Sequence, residues 1–230
     1  MSQSKYGNIL TVILVILIVI ILVIGAVFFI KWLKEEKVKK ENERVISEIS
    51  KNIDAGQEEE KQGEDEVVVP ELTNITGEQQ TSGGSSSGGV GTKRKKVYMS
   101  GFVAAGYIEI PKTGIKYAVL ETTSVKALET AVAVVYPSNP QLNTPGNVVI
   151  QGHNYRNGKF FSNNKKLQIG DKIKITDLNN KTLTYTIYEI FETTDTDAAY
   201  FTRDTGDNIE ISLSTCTDDG KNRLVILARV

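Results

Sequence analysis

From Ile9 to Ile30 the chain offers almost nothing but aliphatic and aromatic side chains, with Thr11 the only clearly polar residue. As an α-helix this run would be about 33 Å long. That matches a bilayer hydrocarbon core of roughly 30 Å. A helix also satisfies its own backbone hydrogen bonds where no water is present. A membrane-spanning helix is therefore expected over residues 9–30, with residues 1–8 as a short tail. A cleaved signal peptide is the competing reading. Its apolar region is usually shorter and leads to a small-x-small cleavage site. Phe28-Phe29-Ile30-Lys31-Trp32 supplies no such site, which favours a retained anchor.

The segment after the span changes character twice. Lys31 to about Lys51 is rich in Lys and Glu, with Val38, Val45, Ile46 and Ile49 interspersed, and is expected to continue the helix as a solvated stalk. From about Asn52 to Gly91 the chain turns acidic, then polar, ending in a Gly/Ser run at Ser82 to Gly89. That composition cannot bury a core and reads as a flexible linker. Residues 31–96 are thus assigned to stalk and linker, and a polypeptide beginning near Lys93 is expected to fold. The basic run Lys93-Arg94-Lys95-Lys96 either meets anionic polymer or lipid headgroups or is a solvated boundary, and the solvated boundary is the expectation. The chain's formal net charge of −1 implies no general attraction to nucleic acid. Its single Cys and single His exclude an internal disulfide and a Cys/His zinc cluster.

Residues 97–230 have an ordinary domain size, about 134 residues, and are rich in strand signals. Gly101 to Pro111, Ile115 to Leu120, Asn147 to His153, Lys172 to Asp177 and Thr182 to Glu192 read as strands. Leu183, Tyr185 and Ile187 alternate with threonines, so that strand has one buried and one wet face. Ser124 to about Ala133 is predicted to be a short helix capped by Ser124. Asn157 to Leu167 is predicted to form a helical turn that packs Phe160, Phe161 and Leu167. Helices are too few and short for a sheet with helical crossovers. A mostly antiparallel closed barrel fits better.

The chemistry gathers on a hairpin near the C-terminus. Ile209, Ile211 and Leu213 alternate, a polar turn with Gly220 follows, and Leu224 to Ala228 returns. By the period of two, Cys216 shares a face with Glu210, Ser212 and Ser214, opposite the apolar set. Arg223 opens the returning strand roughly across from it, with facing Cβ atoms about 5 Å apart. A lone Cys is commonly a buried small hydrophobe. This one faces the polar side, has a cationic neighbour that would favour the nucleophilic thiolate, and ends a strand. His153 either caps a strand or, as the chain's only imidazole, moves protons near neutral pH. Arg223 cannot be a base; it binds substrate and an oxyanion, or pairs with Asp218 or Asp219. Asn154, Asp195 and Asp197 are candidates to orient His153.

Thr215-Cys216 followed by Arg223, the run Gly146-Asn147-Val148-Val149-Ile150-Gln151-Gly152-His153-Asn154, and Ile108-Glu109-Ile110-Pro111-Lys112-Thr113-Gly114-Ile115 together resemble the signature of sortases, the cysteine transpeptidases of Gram-positive surfaces. The resemblance covers about Val97 to Val230. It implies a mostly β fold, a closed antiparallel sortase-type barrel with short helices behind a transmembrane helix and linker. It implies His153, Cys216 and Arg223 as catalytic residues and Thr215 as a secondary substrate contact. It further implies cleavage of a Leu-Pro-x-Thr-Gly-like sorting signal through a Cys216 thioester, then transfer to an amine on a cell-wall precursor or pilin. No cofactor is implied. The loop Pro137 to Asn147 has no acid, so no matching calcium site is expected there and no metal is assigned. The implied location is extracellular, on a single-pass anchor. Lys31, Lys34, Lys37, Lys39 and Lys40 after the span, against Lys5 before it, argue the other way. A cysteine peptidase using water and an inactive surface-binding barrel are the alternatives.

Overall fold

The structure, a computed structural model, describes the backbone of residues 3–59 and 96–230 and the side-chain environments of 9–51 and 96–230. The Gly/Ser-rich linker and Lys93, Arg94 and Lys95 lie outside the described residues. The chain opens with one helix, α1 (Gln3–Glu59). Then come β1 (Tyr98–Met99), β2 (Phe102–Ile110), β3 (Ile115–Leu120), the four-residue helix α2 (Val125–Leu128), β4 (Val132–Tyr136), β5 (Gly146–Gln151), β6 (Lys172–Asp177), β7 (Thr182–Thr194), β8 (Ile209–Cys216) and β9 (Asn222–Arg229). Neighbours run β2-β3-β4-β5-β8-β9-β7-β6, and β6 pairs back onto β2, which closes an eight-stranded barrel. Two of its seams, β3–β4 and β5–β8, are parallel. The rest are antiparallel.

The period-two pattern sorts side chains as the sequence requires. Ile108, Ile110, Val148, Ile150, Ile173, Ile175, Tyr185, Ile187, Ile211, Leu213 and Ile226 fill the barrel, and Phe160, Phe161 and Leu167 join them from the loop after β5. Burying each of the larger aliphatic side chains contributes about 1.5–3 kcal/mol. The helix expected from Ser124 to Ala133 is shorter. Ser124 does cap it, its hydroxyl accepting from Ala127 N at 3.1 Å. The helix ends at Leu128, and Val132-Ala133-Val134-Val135-Tyr136 becomes β4. β-Branched and aromatic residues suit a pleated surface better than a helix.

α1 contains, among the described residues, the one helix segment long and apolar enough to cross a membrane. Its second half is more than a solvated stalk. Val38, Asn42, Val45 and Ile49 recur at helical spacing and face the barrel. Val45 and Ile49 are fully buried against Val97, Met99, Ala104, Ala118 and Leu120. Asn42 accepts from Ala118 N at 2.8 Å and donates to Lys116 O at 3.0 Å. It thereby satisfies backbone groups of β3 beyond the reach of its two-residue ladder with β4. Glu41 accepts from the Ser100 backbone and hydroxyl, both at 2.6 Å, and Arg44 donates to Tyr98 O at 2.7 Å.

Candidate active site

Strand register alone brings the candidate residues together. β5 and β8 run parallel with Val148 beside Ile211, Ile150 beside Leu213 and Gln151 beside Ser214. Gly152 N then donates to Ser214 O at 3.2 Å, so the alignment continues past the end of β5. Two residues further along each segment stand His153 and Cys216, which this alignment sets on the same outward face of neighbouring segments. On the other side, Cys216 pairs directly with Arg223 across the β8–β9 hairpin. Arg223 Nη1 donates to Cys216 Sγ at 2.8 Å. All three residues are half-buried. Arg223 therefore faces the thiol; Asp218 and Asp219 have other partners, Lys165 and Asn154 for the first and Thr217 for the second.

Gly152 is required where it stands. A Cβ there would lie 2.8 Å from Phe161 Cδ2 and 2.9 Å from Val132 Cγ1. The missing side chain lets the Phe161 ring close the barrel directly beneath the histidine.

Among the described residues, the His153 imidazole makes no side-chain hydrogen bond. It stacks on Tyr155 with ring centroids 4.7 Å apart. Burial pushes its pKa below the ordinary 6.5; the Glu129 carboxylate pulls it back up and the Arg223 guanidinium pushes it further down. Glu129 and Tyr155 share the wall of a groove of about 1330 Å³ between α1 and the barrel, with Trp32, Tyr117 and Phe160. Neither Asp195 nor Asp197 reaches the imidazole. Asp197 instead accepts from Thr193 Oγ1 at 2.5 Å and Ala199 N at 2.9 Å. Asn154 turns to the backbone of Cys216.

Thr215 is not on this face. Its side chain turns into the barrel, 1% exposed, and its Oγ1 has no hydrogen-bond partner. The loop between β7 and β8 lies over the outer face of β5 and β8. Tyr200 donates to Ser214 Oγ at 3.0 Å, and Asn147 donates to the backbone oxygens of Tyr200 and Phe201. Arg203 pairs with buried Glu210, which also accepts from Tyr188 at 2.7 Å. Sequence reasoning missed Glu129, Tyr155, Tyr200 and Arg203 as neighbours of the site. Their contacts depend on loop paths that periodicity does not report. Among the described residues, no group of three or more His, Cys, Asp or Glu side chains is placed to hold a metal ion.

This arrangement can perform acyl transfer. A sulfur with a guanidinium N–H aimed at it is stabilised as an anion. A neighbouring imidazole can carry a proton to a leaving group.

Comparison with known proteins points to one family. The family model described as the sortase domain matches residues 108–230, more than half of the chain. A second, described as the epiregulin C-terminal domain, matches only residues 8–50. No curated protein matches the sequence. Among solved structures, sortase A from Corynebacterium diphtheriae is similar at 28% identity and a TM-score of 0.51, over 56% of this chain and 61% of that one. Sortase C1 from Streptococcus suis is similar at 26% identity and a TM-score of 0.50, over 55% of this chain and 73% of that one. Sortase C from Clostridium perfringens, solved with the C-terminal cell wall sorting motif, is similar at 28% identity and a TM-score of 0.50, over 55% of this chain and 69% of that one.

Proposed function

Because the chain belongs to the sortase family of cysteine transpeptidases, we propose that it is a membrane-anchored enzyme that cleaves a Leu-Pro-x-Thr-Gly-like sorting signal and transfers the upstream protein to an amine. The acceptor amine belongs to a cell-wall precursor or a pilin. The contact between Arg223 Nη1 and Cys216 Sγ at 2.8 Å carries the reading, since it gives the chain's only thiol a built-in counter-charge. The Clostridium perfringens relative, solved with the C-terminal cell wall sorting motif, supports the substrate class.

In this mechanism the Cys216 thiolate attacks the carbonyl carbon of the sorting-signal Thr. The carbonyl oxygen becomes an oxyanion that Arg223 stabilises. Collapse breaks the Thr–Gly bond, and His153 in its imidazolium form, the minority form near neutral pH because burial lowers its pKa, gives its proton to the departing amine. A Cys216 thioester and a neutral His153 remain. The incoming amine then attacks the thioester carbonyl and gives its surplus proton to His153. The new amide leaves, and thiolate and imidazolium are restored. Thr215 keeps an auxiliary role as a secondary substrate contact; with its side chain inside the barrel, that contact is made by its backbone.

The test is a set of three variants with a sorting-signal peptide and an added amine. Cys216→Ala abolishes cleavage and transfer, because no other thiol exists in the chain. His153→Ala abolishes transfer almost as completely. Arg223→Lys keeps the charge but loses the planar fork, and removing one oxyanion donor costs roughly a hundredfold to a thousandfold in rate. Near-normal turnover in Arg223→Lys would remove Arg223 from the mechanism. Turnover above background in Cys216→Ala would end it altogether. Mass spectrometry of the acyl-enzyme and its products separates amine from water as the acceptor.

A further inference from the structure

Three segments meet just beyond the thiol. Asn154, the residue after His153, donates from one Nδ2 to Cys216 O at 2.9 Å and to Asp218 Oδ1 at 3.0 Å. Lys165, in the short 3-10 turn Asn164–Lys166, donates to the other Asp218 oxygen at 2.5 Å. Arg156 Nη1 donates to Asp218 O at 3.0 Å. The Asn154 carbonyl oxygen of the side chain is itself held by Arg156 N at 3.1 Å, and Asn154 forms an isolated bridge with Phe160. The amide of Asn154 is thus fixed at both ends. It ties the histidine-bearing loop to the cysteine-bearing strand at the one place where the β5–β8 ladder has stopped.

We propose that Asn154, with Asp218 as its anchor, is the positioning residue that sets Cys216 against His153. The physical need is specific. β5 ends at Gln151 and β8 at Cys216, so neither catalytic side chain has the ladder holding it on both sides. Thr217 N donates to Asn222 O at 3.0 Å, so the peptide after Cys216 is held on the β9 side. Without the bond to Cys216 O it loses its tie to the histidine-bearing loop, and the thiol can shift relative to the imidazole. Misplacement by about 1 Å in such a pair costs about a hundredfold in rate. Asn is suited to the task because one NH₂ group reaches two acceptors while its oxygen takes a backbone N–H. The proposal deepens the transpeptidase reading and rests on it for turnover, but thiol reactivity tests it without any substrate.

The experiment uses the full chain in detergent micelles. Cys216 is the only thiol, so its alkylation by iodoacetamide reads one site. Rates are measured across pH for the wild type, Asn154→Ala, His153→Ala and the double variant, beside turnover of a sorting-signal peptide and thermal melts. Asn154→Ala is expected to lower kcat by about tenfold to a hundredfold, with KM within about twofold and the melting midpoint nearly unchanged. The alkylation pH profile of Asn154→Ala should resemble that of His153→Ala, and the double variant should add nothing further, as for two residues acting through one contact. Independent, additive effects on alkylation overturn the proposal, as does a kcat within twofold of wild type. If Asn154→Ala fails to fold, Asp218→Asn decides: an alkylation profile shifted toward that of His153→Ala supports the anchor role, and an unchanged one overturns it. Failure of peptide turnover in the wild type with the alkylation coupling intact would fault the substrate reading and leave the positioning role standing.

Discussion

At the scale of single residues, the site is governed by the charges around one imidazole. Burial and the Arg223 guanidinium lower the pKa of His153, and Glu129 works against them. Glu129→Gln should therefore move the His153 titration to lower pH, and Arg223→Gln should move it upward. The chain has one histidine, so a single imidazole proton resonance followed by NMR reports it without assignment. Shifts in the opposite directions would mean these charges do not face the ring. The same displacement links to stability. Above the ordinary value of 6.5 the imidazole is neutral both folded and unfolded, and contributes nothing. As pH falls through that value the unfolded chain takes up the proton more readily, so the folded state loses stability. His153→Gln should flatten that loss, measured as denaturation midpoints from neutral to mildly acidic pH. The candidate residues were legible in the sequence because they needed only local geometry: a period of two turned Cys216 outward, and a hairpin set Arg223 opposite it. The partners of His153 were not legible. Asn154 adjoins it in sequence yet bonds to the Cys216 backbone, while Tyr155 and Glu129 reach it from a loop and a helix end whose paths only packing decides.

At the scale of elements, the barrel strands followed from alternation, and the misses share a cause. Val132 and Ala133 fall inside the helix expected from Ser124, and Val134 to Tyr136 carry no strand expectation, because a short apolar run has no period of its own. The parallel seams arise because β4 and β8 lie beside strands that are not their hairpin partners, which no local pattern records. The docking of α1 was missed for the same reason. Val38, Val45, Ile46 and Ile49 stand out in the sequence, but a charged helix with a few aliphatic residues is equally compatible with a stalk in water. The structure orders Val38, Asn42, Val45 and Ile49 into one stripe with a target, the outer face of β1, β2 and β3. A fragment beginning near Lys93 keeps the interior cluster and should fold and turn over soluble peptides. It leaves Met99, Ala118 and Leu120 uncovered and the Ala118 N–H without its Asn42 partner, so it should melt below a fragment beginning at Lys31. Within the longer fragment, Ile49→Ala should cost about 2–5 kcal/mol, the usual range for emptying a buried aliphatic site. Equal melting points for the two fragments, together with a silent Ile49→Ala, would show that α1 does not hold the barrel in solution.

At the scale of the whole molecule, α1 carries both the proposed membrane anchor and the stripe that docks on the barrel. From Ile30 to Asn42 is twelve residues, a rise of about 18 Å, so if α1 is the anchor proposed above, docking would hold the barrel within that reach of the bilayer surface. The side of the bilayer is then decisive. Lysines crowd the end of the span next to the barrel, and taken alone they would retain that end in the cytoplasm. The flanking-charge rule applies to short loops, whereas long domains translocate largely regardless of it. A sortase that acts on secreted proteins needs its groove where those proteins emerge, and the expected position of Val230 is outside the cell. The single thiol makes the test direct. A membrane-impermeant maleimide added to intact cells freed of their wall should label the protein at Cys216, half-exposed at the end of β8. Cys216→Ala should remove the label, and protease added to the same cells should digest the barrel. If the label appears only after the membrane is broken, and the barrel resists protease until then, the lysines have set the topology. A barrel so oriented could not meet secreted sorting signals, and the proposed function would fall with it.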